Sequence, residues 1–175
     1  ANPTLTVTGV KTTYTYTGSL QTVNSGATVN NTEQTIKYSN NTFTTVAEGN
    51  GKVVTISVAA STNYNAASKT VTLTVNKASY NMSNVRWSYS SAFTYNGNAK
   101  TIILTGLPSG VTPNYSNNSK TNAGTYSASV TFSYDTANYN APSAVSNCVW
   151  VINKATPVAS ASVASGTYYI GNKLS

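Results

Sequence analysis

Two runs of sequence, 77 residues apart, decide how this chain is organised. Val71-Thr72-Leu73-Thr74-Val75-Asn76-Lys77-Ala78 returns as Cys148-Val149-Trp150-Val151-Ile152-Asn153-Lys154-Ala155. Around them, Thr62-Asn63-Tyr64-Asn65-Ala66-Ala67-Ser68 returns as Ala137-Asn138-Tyr139-Asn140-Ala141-Pro142-Ser143, and Thr15-Tyr16-Thr17-Gly18 as Thr94-Tyr95-Asn96-Gly97. Self-similarity at a fixed period indicates tandem structural units. The sequence therefore predicts one unit over 1–77, a second over 78–154, and the first part of a third over 155–175, with an Asn-Lys pair expected before Ala1.

The units are predicted to be built of strands. Val54, Ile56 and Val58 alternate with Thr55 and Ser57, and similar alternation runs from Tyr126 to Tyr134 and from Val71 to Val75. A period of two with one apolar face is typical of half-buried antiparallel strands. Six or seven short strands in each unit favour an all-β fold of small immunoglobulin-like sandwiches. A β-grasp-like unit is the alternative, and Asn24 to Lys37 is the stretch that would have to supply its helix.

Turn residues separate the predicted strands. Asn96-Gly97 lies between short apolar runs and predicts a two-residue type I′ hairpin. Asn50-Gly51, Pro108-Ser109-Gly110 and Asn122-Ala123-Gly124 indicate further reversals of the chain. Trp87 and Trp150 are expected to anchor the core of the second unit.

The composition argues against catalysis. The chain has no His, three acidic residues and one cysteine among 175 residues, and 7% of its residues are charged. Acid and base catalysis, zinc binding and calcium binding draw on His, Cys and carboxylates in groups. We expect no enzyme activity, no cofactor and no metal site. Cys148 alternates with Trp150 and Ile152, so the sequence predicts a buried thiol without reactivity.

The net charge of +7 reflects missing acids rather than a basic cluster. The ten Lys and Arg residues are spread along the chain, whereas nucleic-acid binding usually needs a basic stripe. We expect no nucleic-acid partner and no insertion into a membrane, since no run of about 20 apolar residues is present. Weak attraction to anionic polymers is the partner property that this charge favours.

Tyrosines are the candidates for ligand contact. Tyr64 and Tyr139, each flanked by asparagines, are predicted to tuck into the core as in a tyrosine corner. Tyr115, within Pro113-Asn114-Tyr115-Ser116-Asn117-Asn118, is predicted to be an exposed loop aromatic and is the candidate ligand-binding residue, for a glycan.

One family resemblance follows from these motifs. Lys120-Thr121-Asn122-Ala123-Gly124-Thr125-Tyr126-Ser127-Ala128-Ser129-Val130, the Asn-Tyr-Asn motif at 138–140 and the closing Ile152-Asn153-Lys154-Ala155 resemble the tandem repeats of large bacterial cell-surface proteins. The similarity is to repeats of the MBG type and related bacterial Ig-like repeats, and it covers both units and the opening of the third. The resemblance implies an extracellular adhesin or stalk, attached to the cell wall or envelope.

The sequence thus predicts a non-catalytic segment of an extracellular surface protein. It would act as a stalk or spacer with weak multivalent adhesion, and its partners would be neighbouring repeats of the same chain. A glycan- or mucin-binding module is one alternative. A structural component of a phage virion or filament is another, in which residues 155–175 pair with a second subunit through open strand edges.

Overall fold

A computed structural model describes residues 1–159 of the chain. The predicted extra strands of the partial third unit lie mostly beyond this part: residues 155–159 belong to no strand, and residues 160–175 lie outside the described residues. Within residues 1–77 the elements are β1 (Leu5–Thr6), β2 (Thr13–Thr15), β3 (Gln21–Thr22), β4 (Thr28–Val29), β5 (Ile36–Ser39), β6 (Thr42–Phe43), α1 (Val46–Gly49), β7 (Val53–Val58), β8 (Ala67–Thr72) and β9 (Thr74–Asn76). Within residues 78–154 they are β10 (Arg86–Trp87), β11 (Phe93–Thr94), β12 (Lys100–Thr101), β13 (Leu104–Thr105), β14 (Thr112–Ser116), β15 (Ser119–Lys120), β16 (Gly124–Ser133) and β17 (Cys148–Asn153).

The prediction of an all-β chain is confirmed, although the strands are shorter and more numerous than predicted. The larger sheets are β5-β7-β8 in the first unit and β11-β17-β16-β14 in the second. Each unit also pairs an early strand with its last strand in parallel, β2 with β9 and β11 with β17. The remaining strand pairs in the described part are antiparallel.

Each unit has a hydrophobic core of its own. The first core consists of Leu5, Val10, Val23, Phe43, Val54, Ile56, Val58, Leu73 and Val75. The second core consists of Ile102, Ala128, Trp150 and Ile152, with Trp87 packed partly buried against it. Trp150 is fully buried, and Leu73 holds the equivalent position in the first unit. The alternation of Val54, Ile56 and Val58 is confirmed, since all three are buried while the residues between them are half-buried.

The first unit departs from the prediction of a helix-free body, because α1 forms one helical turn. The Thr45 hydroxyl accepts a hydrogen bond from the Glu48 amide, and the Glu48 carboxylate accepts from the Thr45 amide, which together form a capping box. The connection from Asn41 to Val54 is longer than the equivalent one from Asn118 to Ala128, and the extra residues form this turn. The stretch from Asn24 to Lys37, considered for a β-grasp helix, instead contains β4 and the start of β5.

The predicted hairpin at Asn96-Gly97 is wrong. The flanking strands do not pair with each other, since β11 pairs with β17 and β12 with β15. Gly97 has a φ of +82°, but Asn96 does not have the positive φ that a type I′ turn requires at both central residues. Asn96 instead accepts a hydrogen bond on its side-chain oxygen from the Asn98 amide at 3.1 Å. The segment connects two sheets rather than two paired strands.

Candidate functional site: the junction between the two units

The backbone joins the two units at Lys77-Ala78 and is fastened to a loop of the second unit. The Ala78 amide donates to the Asn138 carbonyl at 3.0 Å, and the Asn140 amide donates to the Ala78 carbonyl at 2.8 Å. Nζ of Lys77 donates to the Thr136 carbonyl at 2.6 Å. The connection between the cores is therefore hydrogen-bonded on both sides of the unit boundary, rather than running as a free linker.

The side chain of Asn138 links the two units directly. Its Oδ1 accepts from the amide of Val46, the first residue of α1, at 3.0 Å. Its Nδ2 donates to the Asp135 carboxylate at 2.8 Å, and Asp135 also accepts from the Asn138 amide. Asn138 is 9% exposed. Because the carboxylate fixes which end of the amide group faces α1, Asn138 is held ready to accept the Val46 hydrogen.

Four tyrosines pack around the same loop. The ring of Tyr139 stacks on Tyr80 with centroids 4.2 Å apart, and it meets Tyr16 of the first unit edge-on at 5.3 Å. Tyr134 packs against Tyr80 edge-on at 6.2 Å. Aromatic pairs in these geometries each contribute about 0.5–1.5 kcal/mol beyond the area that they bury. The predicted tyrosine corner at Tyr139 is therefore replaced by a contact between units.

The three acidic side chains act as hydrogen-bond acceptors. The Asn138 side chain holds the pKa of Asp135 below its ordinary value, and hydrogen bonds from the Asn63 side chain and the Ser61 hydroxyl do the same for the pKa of Glu33. Backbone amides at 44 and 45 lower the pKa of Glu48. Each carboxylate stays ionised at neutral pH and is occupied in bracing a loop or a cap. No group of three or more His, Cys, Asp or Glu side chains suited to a metal ion occurs within residues 1–159.

Tyr115, the predicted glycan contact, lies in strand β14 rather than in a loop, and it is half-buried. Its hydroxyl accepts from the Leu104 amide at 2.7 Å, and its ring lies 5.7 Å from that of Trp87. In the first unit, the Tyr38 hydroxyl accepts from the Ala27 amide at 3.0 Å, and both residues precede their counterparts by 77. The repeated contact gives Tyr115 a bracing role within the unit.

Asparagines beside these tyrosines were not singled out by the sequence, although they too recur at 77 residues. The side chain of Asn41 donates to the Val23 carbonyl, and that of Asn118 donates to the Ile102 carbonyl. In both cases the asparagine carbonyl accepts the amide hydrogen of the same partner. The preceding residue, Asn40 or Asn117, has a φ near +55°. Aligning the Tyr-Ser-Asn-Asn runs at 38–41 and 115–118 would have revealed this fastening.

Cys148 is half-buried at the start of β17, rather than fully buried as predicted. Burial raises the pKa of its thiol, so the sulfur stays protonated at neutral pH. A protonated thiol is a poor nucleophile, which agrees with a packing role.

A groove of about 770 Å³ lies beside Cys148 in the second unit. Met82, Arg86 and Trp87 line one side of it, and the segment 143–149 lines the other. The indole nitrogen of Trp87 donates across it to the Ser146 carbonyl at 2.9 Å. Residues 141–147 belong to no strand, whereas β8 in the first unit pairs with β7 along its whole length. The groove therefore belongs to the second unit only.

Comparisons with protein-family models, curated proteins and solved structures found no significant match for this chain. Among the described residues, no helix has the length and apolar character needed to cross a membrane.

Proposed function

We propose that this chain is a non-catalytic, repeat-built segment of an extracellular surface protein, in which successive units hold a fixed angle and act as a spacer. The observation that carries the proposal is the Asn138 side chain, which joins the Val46 amide of one unit to the Asp135 carboxylate of the next. Two cores joined by a free linker would need no such bond. The stacked tyrosines and the bonded Lys77-Ala78 connection add contacts at the same place.

Composition and resemblance support the cell-surface location. Strands faced with Thr and Ser remain soluble with few charges, and the packing of the units uses no disulfide. The resemblance to repeats of bacterial surface proteins agrees with such a setting.

We also propose an immunoglobulin-like sandwich for each unit. Short antiparallel strands enclosing a separate core, closed by a parallel pair between an early and the last strand, support this fold more than a β-grasp. The helix that a β-grasp needs is replaced over 24–37 by strands and turns.

Small-angle X-ray scattering tests the spacer on the full chain. The wild-type protein should fit one orientation of the two units, and Asn138→Ala should broaden the distribution of end-to-end distances. Asn147→Ala is the matched control, because Asn147 is an exposed asparagine of the second unit that lies away from the junction loop. Wild-type scattering that requires a broad ensemble of orientations would contradict a fixed angle.

The groove beside Trp87 supports a second candidate function, glycan binding by the second unit. An exposed arginine beside a half-buried indole offers hydrogen-bond donors next to an apolar surface, and the volume lies in the range of ligand sites. Titrating mucin oligosaccharides into the full chain while recording tryptophan fluorescence would detect occupancy. Arg86→Ala should abolish the response and Lys100→Ala, on another sheet, should preserve it. No saturable response from any oligosaccharide would refute this candidate.

A further inference from the structure

The loop that receives the first unit at the junction has a counterpart at the opposite end of the first unit. The Ala1 ammonium donates to the Asn63 carbonyl at 2.6 Å, and the Asn65 amide donates to the Ala1 carbonyl at 2.8 Å. Ala78 makes the same pair of bonds to Asn138 and Asn140. Ala1 therefore occupies, relative to the first unit, the place that Ala78 occupies relative to the second.

The equivalence extends to the side chain that joins the units. Nδ2 of Asn63 donates to the Glu33 carboxylate at 2.8 Å, as Nδ2 of Asn138 donates to Asp135 at 2.8 Å. The two carboxylates come from different places in the sequence, since Glu33 lies 30 residues before its asparagine and Asp135 lies three before. Two unrelated positions thus supply the same fixed orientation of the amide group.

The loop around Asn63 is held rigid without a neighbour. The buried side chain of Gln34 donates to the carbonyls of Ala59 and Asn65, and the Glu33 carboxylate also accepts from the Ser61 hydroxyl. A loop braced on both sides loses little conformational freedom when it binds a partner.

Exposure distinguishes the occupied loop from the free one. Asn138 is 9% exposed because the α1 end of the first unit covers it, whereas Asn63 is exposed, and no described residue donates to its Oδ1. Tyr16, covered by the second unit, is half-buried, while its counterpart Tyr95 at the far end of the second unit is 39% exposed.

We propose that the surface formed by Ala1, Glu33, Asn63 and Tyr64, here named the head surface, is a docking site for the α1 end of another unit of the same kind. The occupant is a copy of the first unit, because that unit carries the Val46 amide and Tyr16 which the equivalent loop of the second unit binds. The second unit lacks a helical turn after Lys120, so its far end does not supply an equivalent of the Val46 amide. This proposal rests on the proposed spacer function and adds a rule for which units follow one another.

A fusion protein tests the docking. A second copy of residues 1–77 is placed before the complete chain, so that Asn76-Lys77 of the added unit leads directly into Ala1. Segmental isotope labelling then separates the two Val46 amides in hydrogen-exchange measurements. We expect the Val46 amide of the added unit to be protected to within about tenfold of the Val46 amide at the natural junction, because both donate to an equivalent asparagine.

Variants of the fusion assign the effect. Asn63→Ala in the complete chain should raise the exchange rate of the added unit's Val46 amide about fivefold or more and leave the natural junction unchanged, whereas the control Asn147→Ala should change neither. An unprotected Val46 in the added unit beside a protected one at the natural junction would overturn the docking proposal alone. Two unprotected amides would overturn the spacer function and the docking proposal with it. Protection that Asn63→Ala leaves unchanged would refute the role of Asn63.

Discussion

Replacing Val46 with proline in the first unit is expected to destabilise the second unit. Proline removes the amide hydrogen that Val46 donates to Asn138 Oδ1 at 3.0 Å, yet it suits the first position of a helix. The preceding residue, Thr45, has φ −109° and ψ 164°, a conformation that residues before proline favour. The substitution therefore removes one bond between the units at little cost to the fold of the first unit.

The size of the effect follows from the contact. A hydrogen bond between neutral groups contributes about 1 kcal/mol, which is roughly a fivefold change in an equilibrium constant. Asn138→Ala removes the same bond together with the one to Asp135, and bonds to charged groups contribute about 1.5–3 kcal/mol. In a double-mutant cycle, Val46→Pro should cost about 1 kcal/mol less in the Asn138→Ala background than in the wild type.

Tryptophan fluorescence provides the assay, because both tryptophans of the chain, Trp87 and Trp150, belong to the second unit. Urea denaturation followed by this signal gives the free energy of unfolding of the second unit while the mutation lies in the first. Val46→Ala is the size control, since it shortens the side chain and keeps the amide hydrogen. Additive effects of Val46→Pro and Asn138→Ala, within about 0.5 kcal/mol, would refute the bond as a link between units.

Three further predictions concern single groups. Tyr115→Phe leaves the part-buried Leu104 amide without its acceptor, so urea denaturation should show a loss of about 1–3 kcal/mol; unchanged stability would contradict the bracing role. The lowered pKa values of Asp135 and Glu33 stabilise the fold above their ordinary values near 4, and this stabilisation is lost as the pH falls through the lowered values. Melting temperatures should therefore fall in acid, and Asp135→Asn should weaken this dependence; an equally steep fall in that variant would count against Asp135. The thiol of Cys148, whose pKa is raised by burial, should react with a disulfide reagent at pH 8 much more slowly in the folded protein than in urea, and equal rates would show that it is accessible.

Residue periodicity predicted the fold class because side chains that alternate along a strand must separate water from the core. Val54, Ile56 and Val58 are buried as the alternation requires. The same reasoning missed the pairing of strands around Asn96-Gly97, because pairing depends on which distant strand completes the sheet. The four-residue α1 was missed because its capping box, Thr45 and Glu48, lies in a segment too short to show helical periodicity.

The candidate site was only half visible in the sequence. The Asn-Tyr-Asn motif at 138–140 was identified as a repeat, and its tyrosine was assigned to the core of its own unit. Its contact with Tyr16 depends on the orientation of the two units, which no local pattern encodes. The carboxylates that orient Asn63 and Asn138 come from non-equivalent positions, so repeat alignment does not pair them. Tyr115 looked like a loop residue because Pro113 and three asparagines surround it, although its strand is paired along its whole length.

Residual dipolar couplings measured on the full chain in a weakly aligning medium test the central claim most directly, because they report the relative orientation of the two cores and its spread. If the junction fixes one angle, couplings from residues 1–77 and 78–154 will fit a single alignment tensor of one magnitude. Two tensors that differ severalfold in magnitude would show that the units move independently and would contradict the account.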